Sequence, residues 1–333
     1  MARALSLLRL KMGREHNVDV RKLMLSYGAI PVGVFAIRFA LHPLSVVKTH
    51  LQVQESRVPQ NWRQTVSTVA LIRRQEGLRG FYRGFVVGSA SMIVGPVYAA
   101  SMDMIKIMGR RFQEEHKIMK NEKLYYNIIC PAVAGTVASI LWQSMVVPID
   151  IVSQIQMIQR KRLSGEVPQS ISLTTRTMNV IEVPADYSFR DIVKHVYRHE
   201  GLSGFYRGFG VSLAMYIPAS AIVWSTYESV RDRQKGSKGI FSHDVVGIPS
   251  AGFVAGVTSG VLTNPIDVIR TRIQLNADHR EARIGKTVRR MMRVEGLSGF
   301  TAGMVVRTLS HGPKVAGITA LYELVQYMSR KAD

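Results

Sequence analysis

One block of sequence occurs three times in this chain, and this repeat constrains the fold more than any other feature. Its first half reads HPLSVVKTHLQ, VPIDIVSQIQM and NPIDVIRTRIQ, at residues 42–52, 147–157 and 264–274. Its second half reads QEGLRGFYRGF, HEGLSGFYRGF and VEGLSGFTAGM, at residues 75–85, 199–209 and 294–304. Because the matched positions recur in the same order, we predict three consecutive units with the same local structure.

Each copy of the block lies between two long apolar stretches. The first stretches cover residues 23–47, 124–150 and 244–268, and the second ones cover 85–108, 208–230 and 303–328. At about 1.5 Å per residue, helices of this length cross a hydrocarbon core about 30 Å thick. Glycines four residues apart, such as Gly252, Gly256 and Gly260, let membrane helices approach closely. The sequence therefore predicts an all-α membrane protein with six transmembrane helices in three tandem two-helix repeats and both termini on one side.

The polar segments between these stretches set the predicted boundaries. A basic N-terminal arm is predicted at 1–22, followed by repeats at 23–122, 123–240 and 241–333. The second repeat contains an extra loop rich in Ser, Thr and Pro at residues 159–188. We expect this loop to lengthen the connection between the two membrane helices of that repeat.

Composition leaves two classes of partner open. The 44 Lys and Arg residues exceed the 23 Asp and Glu residues, so the net charge is +21. Such an excess suits nucleic acid or an anionic lipid surface. Cys130 is the single cysteine, which excludes a disulfide framework and a cysteine-based zinc site. No pairing of a nucleophile with a base and no metal-ligand spacing is present, so we predict neither an enzyme nor a bound metal or cofactor.

The pattern of proline, any residue, acid, two residues and base, followed by E-G-L-x-G-F-Y-R-G, resembles the mitochondrial carrier family (solute carrier family 25). The resemblance covers residues 23–328. It implies pseudo-threefold symmetry, short helices on the matrix side, and a monomer in the mitochondrial inner membrane. It also implies transport of a small-molecule substrate, with no nucleic acid as partner.

The segments VPIDIVSQ, GFYRGFGVSLAMYIPASAIVW and LTNPIDVIRTRIQ are similar to the branch of that family that carries branched-chain amino acids. Branched-chain amino acids are therefore the expected substrate. Carriage of a keto acid or another small anion, and a non-transporting scaffold on a carrier fold, are the alternatives. A soluble basic repeat that binds nucleic acid is a third hypothesis.

The repeated prolines are expected to kink the odd-numbered helices, because proline lacks a backbone donor. They are Pro43, Pro148 and Pro265. The resemblance implies that the acid and base beside each kink pair between repeats and form a matrix gate. The expected pairs are Asp150 with Arg270 and Asp267 with Lys48. The third pair is missing, since Ser45 replaces its acid and Ser153 its base. The joint loss leaves no buried charge without a partner.

A second gate is implied on the cytoplasmic side of the even-numbered helices. Its residues are Asp103, Lys106, Glu228, Arg231 and Glu323. The resemblance suggests pairing of Asp103 with Arg231 and of Glu323 with Lys106. Two weakened gates that close in turn suit alternating access.

Arg38 is the first candidate for substrate binding. It lies five residues before Pro43 in the middle of a span, where exposure to lipid would cost about 2.5–3.5 kcal/mol. It is therefore expected to face the cavity and to bind an anionic group. The equivalent position in the second repeat is Gln143. The resemblance adds Ser91, Met215, Tyr216, Ser310 and Lys314.

The acids within the spans are all used by the gates, so none is left for a substrate ammonium group. An amino acid would need backbone carbonyls, Tyr98 or Tyr216 for its amine. An anion would fit the charge pattern more simply.

The motif GFYRG at residues 80–84 and 204–208 places glycine-rich backbone N–H groups and an arginine at the start of a helix. Helix N-termini bind anionic phosphate, and the resemblance implies cardiolipin. The predicted lipid-binding residues are Arg83, Gly84, Arg207 and Gly208. The third copy, GFTAG, lacks the aromatic residue and the base, so a weaker lipid site is expected there.

Overall fold

The computed structural model describes residues 30–56, 62–94, 104–105, 107–108, 111, 130–159, 175–177, 181, 184, 187–235, 244–278 and 282–331. Repeat 1 contains α1 (Ile30–Gln52), α2 (Trp62–Glu76) and α3 (Phe85–Ser89). Repeat 2 contains α4 (Cys130–Ile158), α5 (Phe189–Glu200) and α6 (Phe209–Lys235). Repeat 3 contains α7 (Asp244–Leu262), α8 (Asn264–Leu275), α9 (Ile284–Val294) and α10 (Met304–Lys331).

In terms of the six predicted spans, the odd-numbered membrane helices are α1, α4 and the pair α7–α8, and the even-numbered ones begin with α3, α6 and α10. The same order of elements follows each odd-numbered membrane helix. A short helix comes first, then a 3₁₀ turn, at Gly77–Tyr82, Gly201–Tyr206 and Gly296–Thr301. A glycine with positive φ then begins the even-numbered membrane helix, and in repeat 1 this is Gly84 at φ 72°. A side chain at Gly84 would place its Cβ 2.5 Å from the Ser153 carbonyl oxygen, so glycine is needed for both conformation and space.

The repeated prolines have different effects on the odd-numbered helices. Pro43 and Pro148 lie inside the continuous helices α1 and α4. In repeat 3 the helix is broken between α7 and α8, which are bent by 61°. Pro265 lies in the first turn of α8, where a missing N–H is tolerated. Asn264 donates from Nδ2 to the Phe300 carbonyl (2.8 Å) and so connects the break to the turn before α10.

Helices α7 and α10 pack backbone against backbone. A Cβ added at Gly252 would lie 3.0 Å from the Ala316 Cα atom, and one added at Gly256 would lie 2.7 Å from the His311 carbonyl oxygen. The close approach predicted from the glycine spacing is confirmed at these two positions. At Gly260 an added Cβ would make only ordinary contacts with side chains, at 3.6 Å or more.

The long loop of repeat 2 reaches all three repeats. Two three-residue strands, β1 (Gln54–Ser56) and β2 (Thr175–Thr177), pair antiparallel and add a short ribbon to the predicted all-α fold. The Ile181 N–H donates to the Leu275 carbonyl of repeat 3 (3.1 Å). Gln159 of repeat 2 donates from Nε2 to the Pro184 carbonyl (3.0 Å). The loop is thus tied to the end of an odd-numbered helix in every repeat.

Helix α5 begins with a capping box. The Ser188 N–H donates to the Asp191 carboxylate (3.0 Å), and the Ser188 side chain accepts in return from the backbone. The hydrogen bond from the Ser188 backbone lowers the pKa of the Asp191 carboxyl, because it stabilises the charged form. The capping box therefore fixes the start of this short helix.

Three helical segments among the described residues are long and apolar enough to cross a membrane, and a fourth qualifies if α7 and α8 form one bent span. The three are Pro31–Gln52, Val137–Ile158 and Phe189–Gln234. The second span predicted for repeat 1 lies partly outside the described residues. Helix α10 is long, but Arg307, His311 and Lys314 make it more polar. The fold agrees with a helical membrane protein, while the count of six spans stays a prediction.

Candidate transport site and gates

Both ion pairs expected at the matrix gate are present. Lys48 Nζ lies 2.9 Å from Asp267 Oδ2, and Arg270 NH2 lies 2.7 Å from Asp150 Oδ2. Each pair joins two different repeats through α1, α4 and α8. Asp267 is 3% exposed and Arg270 is 6% exposed. Because a buried charge without a partner costs several kcal/mol, these pairs hold the matrix ends of the odd-numbered helices together.

Asp267 binds more donors than the sequence predicted. Its Oδ2 atom also accepts from Gln52 Nε2 at 2.9 Å and lies 2.5 Å from Arg307 NH1. Arg307 is 8% exposed and donates from NH2 to Thr263 Oγ1 at 2.6 Å. The sequence could have indicated a role for Arg307, because a basic residue within an apolar span needs a partner. The signal for Gln52 was its recurrence as Gln274 at the end of the repeated block.

Arg270 is held from three directions. Besides Asp150, its Nε donates to Ser212 Oγ at 2.9 Å, and its guanidinium carbon lies 5.3 Å from the centre of the Tyr216 ring. A cation above an aromatic face is attracted by the ring quadrupole. Tyr216, predicted as a substrate contact, is therefore directly connected to the matrix gate.

The missing third pair is replaced by close packing. Ser153 Oγ donates to the Gly84 carbonyl at 2.9 Å, and the Ser45 carbonyl accepts from Thr49 Oγ1 at 2.9 Å. A Cβ added at Gly88 would lie 2.9 Å from Ser153 Oγ. The small side chain at 153 thus lets α3 lie against α4, in space that a long basic side chain would occupy.

Among the predicted substrate contacts, the structure brings Arg38 and Ser91 together. Arg38 NH1 donates to Ser91 Oγ at 3.2 Å, and Ser91 Oγ donates to the Gly88 carbonyl at 2.7 Å. Arg38 Nε is buried and has no hydrogen-bond partner among the described residues. The guanidinium group can therefore donate one more hydrogen bond, to an anionic or carbonyl oxygen.

The other predicted contacts have different surroundings. Gln143 is 1% exposed, and its Oε1 atom has no hydrogen-bond partner within the described part of the chain. Met215 is buried. Ser310 Oγ donates to the Arg307 carbonyl of its own helix at 2.9 Å. Lys314 is exposed on α10. Among the described residues, no hydrogen bond or ion pair joins these four side chains to Arg38, although the cationic groups of Lys314 and Arg38 are close enough to repel each other.

The predicted cytoplasmic gate is only partly described. Asp103 and Lys106 lie outside the described residues, so neither expected pair can be seen. Arg231 is 8% exposed and donates from NH1 to Gln234 Oε1 on its own helix at 3.3 Å. Glu228 lies on α6 and Glu323 on α10. The pairing of these residues stays a prediction.

The two arginines of the GFYRG motifs connect neighbouring repeats. Arg83 Nε lies 2.9 Å from Glu76 Oε2, and its NH1 donates to the Gln159 carbonyl after α4. Arg207 pairs with Glu200 and donates to the Asn276 carbonyl after α8. Each arginine therefore bridges the glutamate of its own repeat and the end of the next odd-numbered helix.

The third junction uses an arginine from a different place. Ala302 replaces the motif arginine, and Arg272 of α8 binds Glu295 instead, with NH2 2.9 Å from Glu295 Oε2. Arg272 NH2 also donates to the Gln54 carbonyl at 3.2 Å. Gln54 stands eleven residues after Pro43, as Gln159 and Asn276 do after their prolines. All three junctions thus contain the same bridge, although the third arginine comes from another helix.

These bridges bear on the predicted lipid site. The side chain of Arg207 is 4% exposed and that of Arg83 is 22% exposed, and both guanidinium groups are bound within the protein. The structure therefore favours a bridging role for the two side chains. A lipid headgroup at this site would then accept hydrogen bonds from the backbone N–H groups after Gly84 and Gly208.

We expect Arg207→Ala to lower the thermal unfolding midpoint equally in cardiolipin and in neutral lipid. The change removes one partner of a buried pair, which costs about 3–5 kcal/mol in any lipid. Thr301→Ala is the control, because Thr301 Oγ1 bonds only to the Ser298 carbonyl among the described residues. A loss confined to cardiolipin would instead assign the guanidinium group to the lipid.

The fold and the gate residues together define a class. Three membrane repeats meet at ion pairs, and the cationic side chains of Lys48 and Arg270 each pair with an aspartate of another repeat. A threefold membrane bundle that is closed by ion pairs at one end is the architecture of a solute carrier.

Comparison with known proteins identifies the family. The family described as mitochondrial carrier protein matches residues 29–113, 125–238 and 243–332. Solute carrier family 25 member 44 of Mus musculus is 32% identical over 297 residues, covering 89% of this chain and 88% of that protein. Mitochondrial substrate carrier family protein H of Dictyostelium discoideum is 29% identical over 347 residues, covering 92% and 90%. The chain belongs to the mitochondrial carrier family.

Membership of this family establishes the general activity. The protein is a multi-pass transporter of the mitochondrial inner membrane, and not an enzyme. Its substrate is a small molecule. Of the hypotheses that composition left open, the membrane carrier is therefore the one established.

Proposed function

We propose that the protein carries branched-chain amino acids across the inner membrane by alternating access between two gates. The observation that carries this proposal is the environment of Arg38. Its guanidinium group donates to Ser91 at 3.2 Å, and its buried Nε atom has no hydrogen-bond partner among the described residues. A planar guanidinium matches the two oxygens of a carboxylate. The resemblance of residues 147–154 to carriers of branched-chain amino acids supports the choice among carboxylates.

In the proposed cycle, the matrix gate consists of Lys48, Asp150, Asp267 and Arg270. Both of its pairs are formed in the described conformation, which would be the conformation closed on the matrix side in this cycle. The opposite gate would form when Arg231 and the acids Glu228 and Glu323 approach their partners. The proposed transport unit is a monomer, since one chain contains all three repeats. Cardiolipin is its proposed bound lipid.

A second candidate substrate is a keto acid or another small anion. Near Arg38 and the predicted matrix gate, the cations of the described helices are Arg38, Lys48, Arg270, Arg307 and Lys314, and the carboxylates are Asp150 and Asp267. Arg272 of α8 is paired separately with Glu295. Both aspartates are already paired, so an ammonium group would have no carboxylate partner among them.

Uptake into proteoliposomes distinguishes the candidates. We expect saturable uptake of leucine, isoleucine and valine that does not respond to an imposed membrane potential, because a zwitterion carries no net charge. A keto acid carried as an anion would respond, since moving one charge through 100 mV corresponds to about 2.3 kcal/mol.

Protein-free liposomes provide the background for this assay. Uptake of keto acids or phosphate without amino acids would contradict the proposed substrate. Absence of uptake for every compound would favour a non-transporting scaffold.

A further inference from the structure

The residue at the position of Arg307 is different in each repeat. Arg307 stands four residues after Gly303, where repeat 1 has Gly88 and repeat 2 has Ser212. Ser212 accepts a hydrogen bond from Arg270 Nε at 2.9 Å, whereas Gly88 packs against Ser153. All three positions therefore face the matrix end of an odd-numbered helix, but a charge is present only in repeat 3.

Arg307 and its two polar partners belong to one closely packed unit. Its partners Asp267 and Thr263 lie in repeat 3, at 2.5 Å and 2.6 Å. The helices α7 and α10 of that repeat pack backbone against backbone at Gly252 and Gly256. Contacts of this kind leave little room for α7 and α10 to separate. Asp267 lies on α8, beyond the bend, and Asn264 at the start of α8 donates to the Phe300 carbonyl just before α10 (2.8 Å). The Arg307–Asp267 pair is therefore internal to repeat 3, whose helices are held together on both sides of the bend.

Lys48 reaches the same carboxylate from another repeat. Its Nζ atom lies 2.9 Å from the Asp267 Oδ2 atom that also binds Arg307. Two cations thus share one carboxylate oxygen, one from within the repeat and one from across the interface. When the matrix ends of the repeats move apart, the contact across the interface is the one that must break.

We propose that Arg307 is the resident counter-ion of Asp267, which keeps this buried carboxylate paired when Lys48 withdraws and the matrix gate opens. The inference rests on the proposed alternating access. Without Arg307, opening would leave Asp267 buried and unpaired, at a cost of several kcal/mol. Arg307 is in this sense a positioning residue, and it acts on the gate rather than on the substrate.

The alternative role for Arg307 is a clamp that holds the gate closed, and it predicts the opposite effect on gate opening. If Arg307 only clamped the closed gate, its removal would make opening toward the matrix easier. If it is the resident counter-ion, its removal makes opening harder. The rate at which the gate becomes accessible from the matrix side separates the two roles.

The experiment uses a cysteine reporter at the gate. Ser45→Cys is introduced into a Cys130→Ser background, which leaves a single thiol in the chain. Inside-out inner-membrane vesicles, whose matrix face is outside, are treated with a membrane-impermeant maleimide. We expect Arg307→Gln to slow labelling about tenfold or more, and Arg307→Lys to restore most of the rate because it keeps the charge.

Two features of the experiment distinguish an effect on gate opening from a folding defect and from a failure of the proposed function. Thr308→Ala should not change labelling, since Thr308 Oγ1 bonds only to carbonyls of its own helix among the described residues. Labelling needs no substrate, so its outcome is independent of whether amino acids are carried. In uptake, Arg307→Gln should lower kcat and leave KM unchanged. Unchanged or faster labelling in correctly folded Arg307→Gln would overturn the inference. If the glutamine variant does not fold, labelling of Arg307→Lys that is faster than in the unsubstituted protein would overturn it, because a weakened clamp opens more easily.

Discussion

Leucine uptake is expected to fall about ten- to a hundredfold when Arg38 is replaced by glutamine. The variant loses a charge-assisted hydrogen bond to the substrate carboxylate, and such a bond contributes about 1.5–3 kcal/mol. The loss should be shared by isoleucine and valine, because the carboxylate is common to all three. Initial rates of uptake into proteoliposomes measure the effect.

Arg38→Lys tests the shape of the group separately from its charge. Lysine keeps the charge but lacks the planar pair of donors, so an intermediate loss of uptake is expected. Arg73→Gln is the matched control, because Arg73 is an exposed arginine on α2 and its loss should leave uptake unchanged. Intact uptake in Arg38→Gln, or failure of that variant to fold, would make Arg38 structural. The binding site would then have to be built around Lys314 and His311.

Asp267→Asn is expected to destabilise the protein more than Lys48→Gln. Removal of the carboxylate leaves both Lys48 and Arg307 without their shared partner, which corresponds to about 3–5 kcal/mol or more for a buried pair. Removal of Lys48 leaves Asp267 bound to Arg307 and Gln52, so its effect should be smaller. Thermal unfolding in detergent gives both values.

The double variant completes this test. Asp267→Asn combined with Lys48→Gln should be more stable than Asp267→Asn alone, because it removes one of the two orphaned cations. The same cycle at Asp150 and Arg270 is the comparison, since no second cation pairs with Asp150 among the described residues. Equal effects of Asp267→Asn and Lys48→Gln would show that Arg307 contributes nothing to the pairing of Asp267.

The repeated block predicted the elements that are equivalent in all three repeats. The prolines, the acid and the base recur at fixed spacing, and the resemblance to mitochondrial carriers implies that the acid of one repeat pairs with the base of the next. For this reason the Lys48–Asp267 contact could be predicted, although 219 residues separate its partners. The close packing of Gly252 and Gly256 followed from their spacing for a similar reason, since small residues four apart lie on one helix face.

Sequence by itself thus determined the family and the helical repeats, and the family resemblance predicted the ion pairs Lys48–Asp267 and Asp150–Arg270. Only the tertiary structure decided the contacts that break the symmetry. Arg307 shares Asp267 with Lys48, and Arg272 replaces the motif arginine that is absent at position 302. These contacts depend on side-chain length and on how closely neighbouring helices approach, because a long arginine can reach a carboxylate from more than one helix. A repeat pattern shows which positions are equivalent. It does not show which of several nearby cations contacts a given carboxylate.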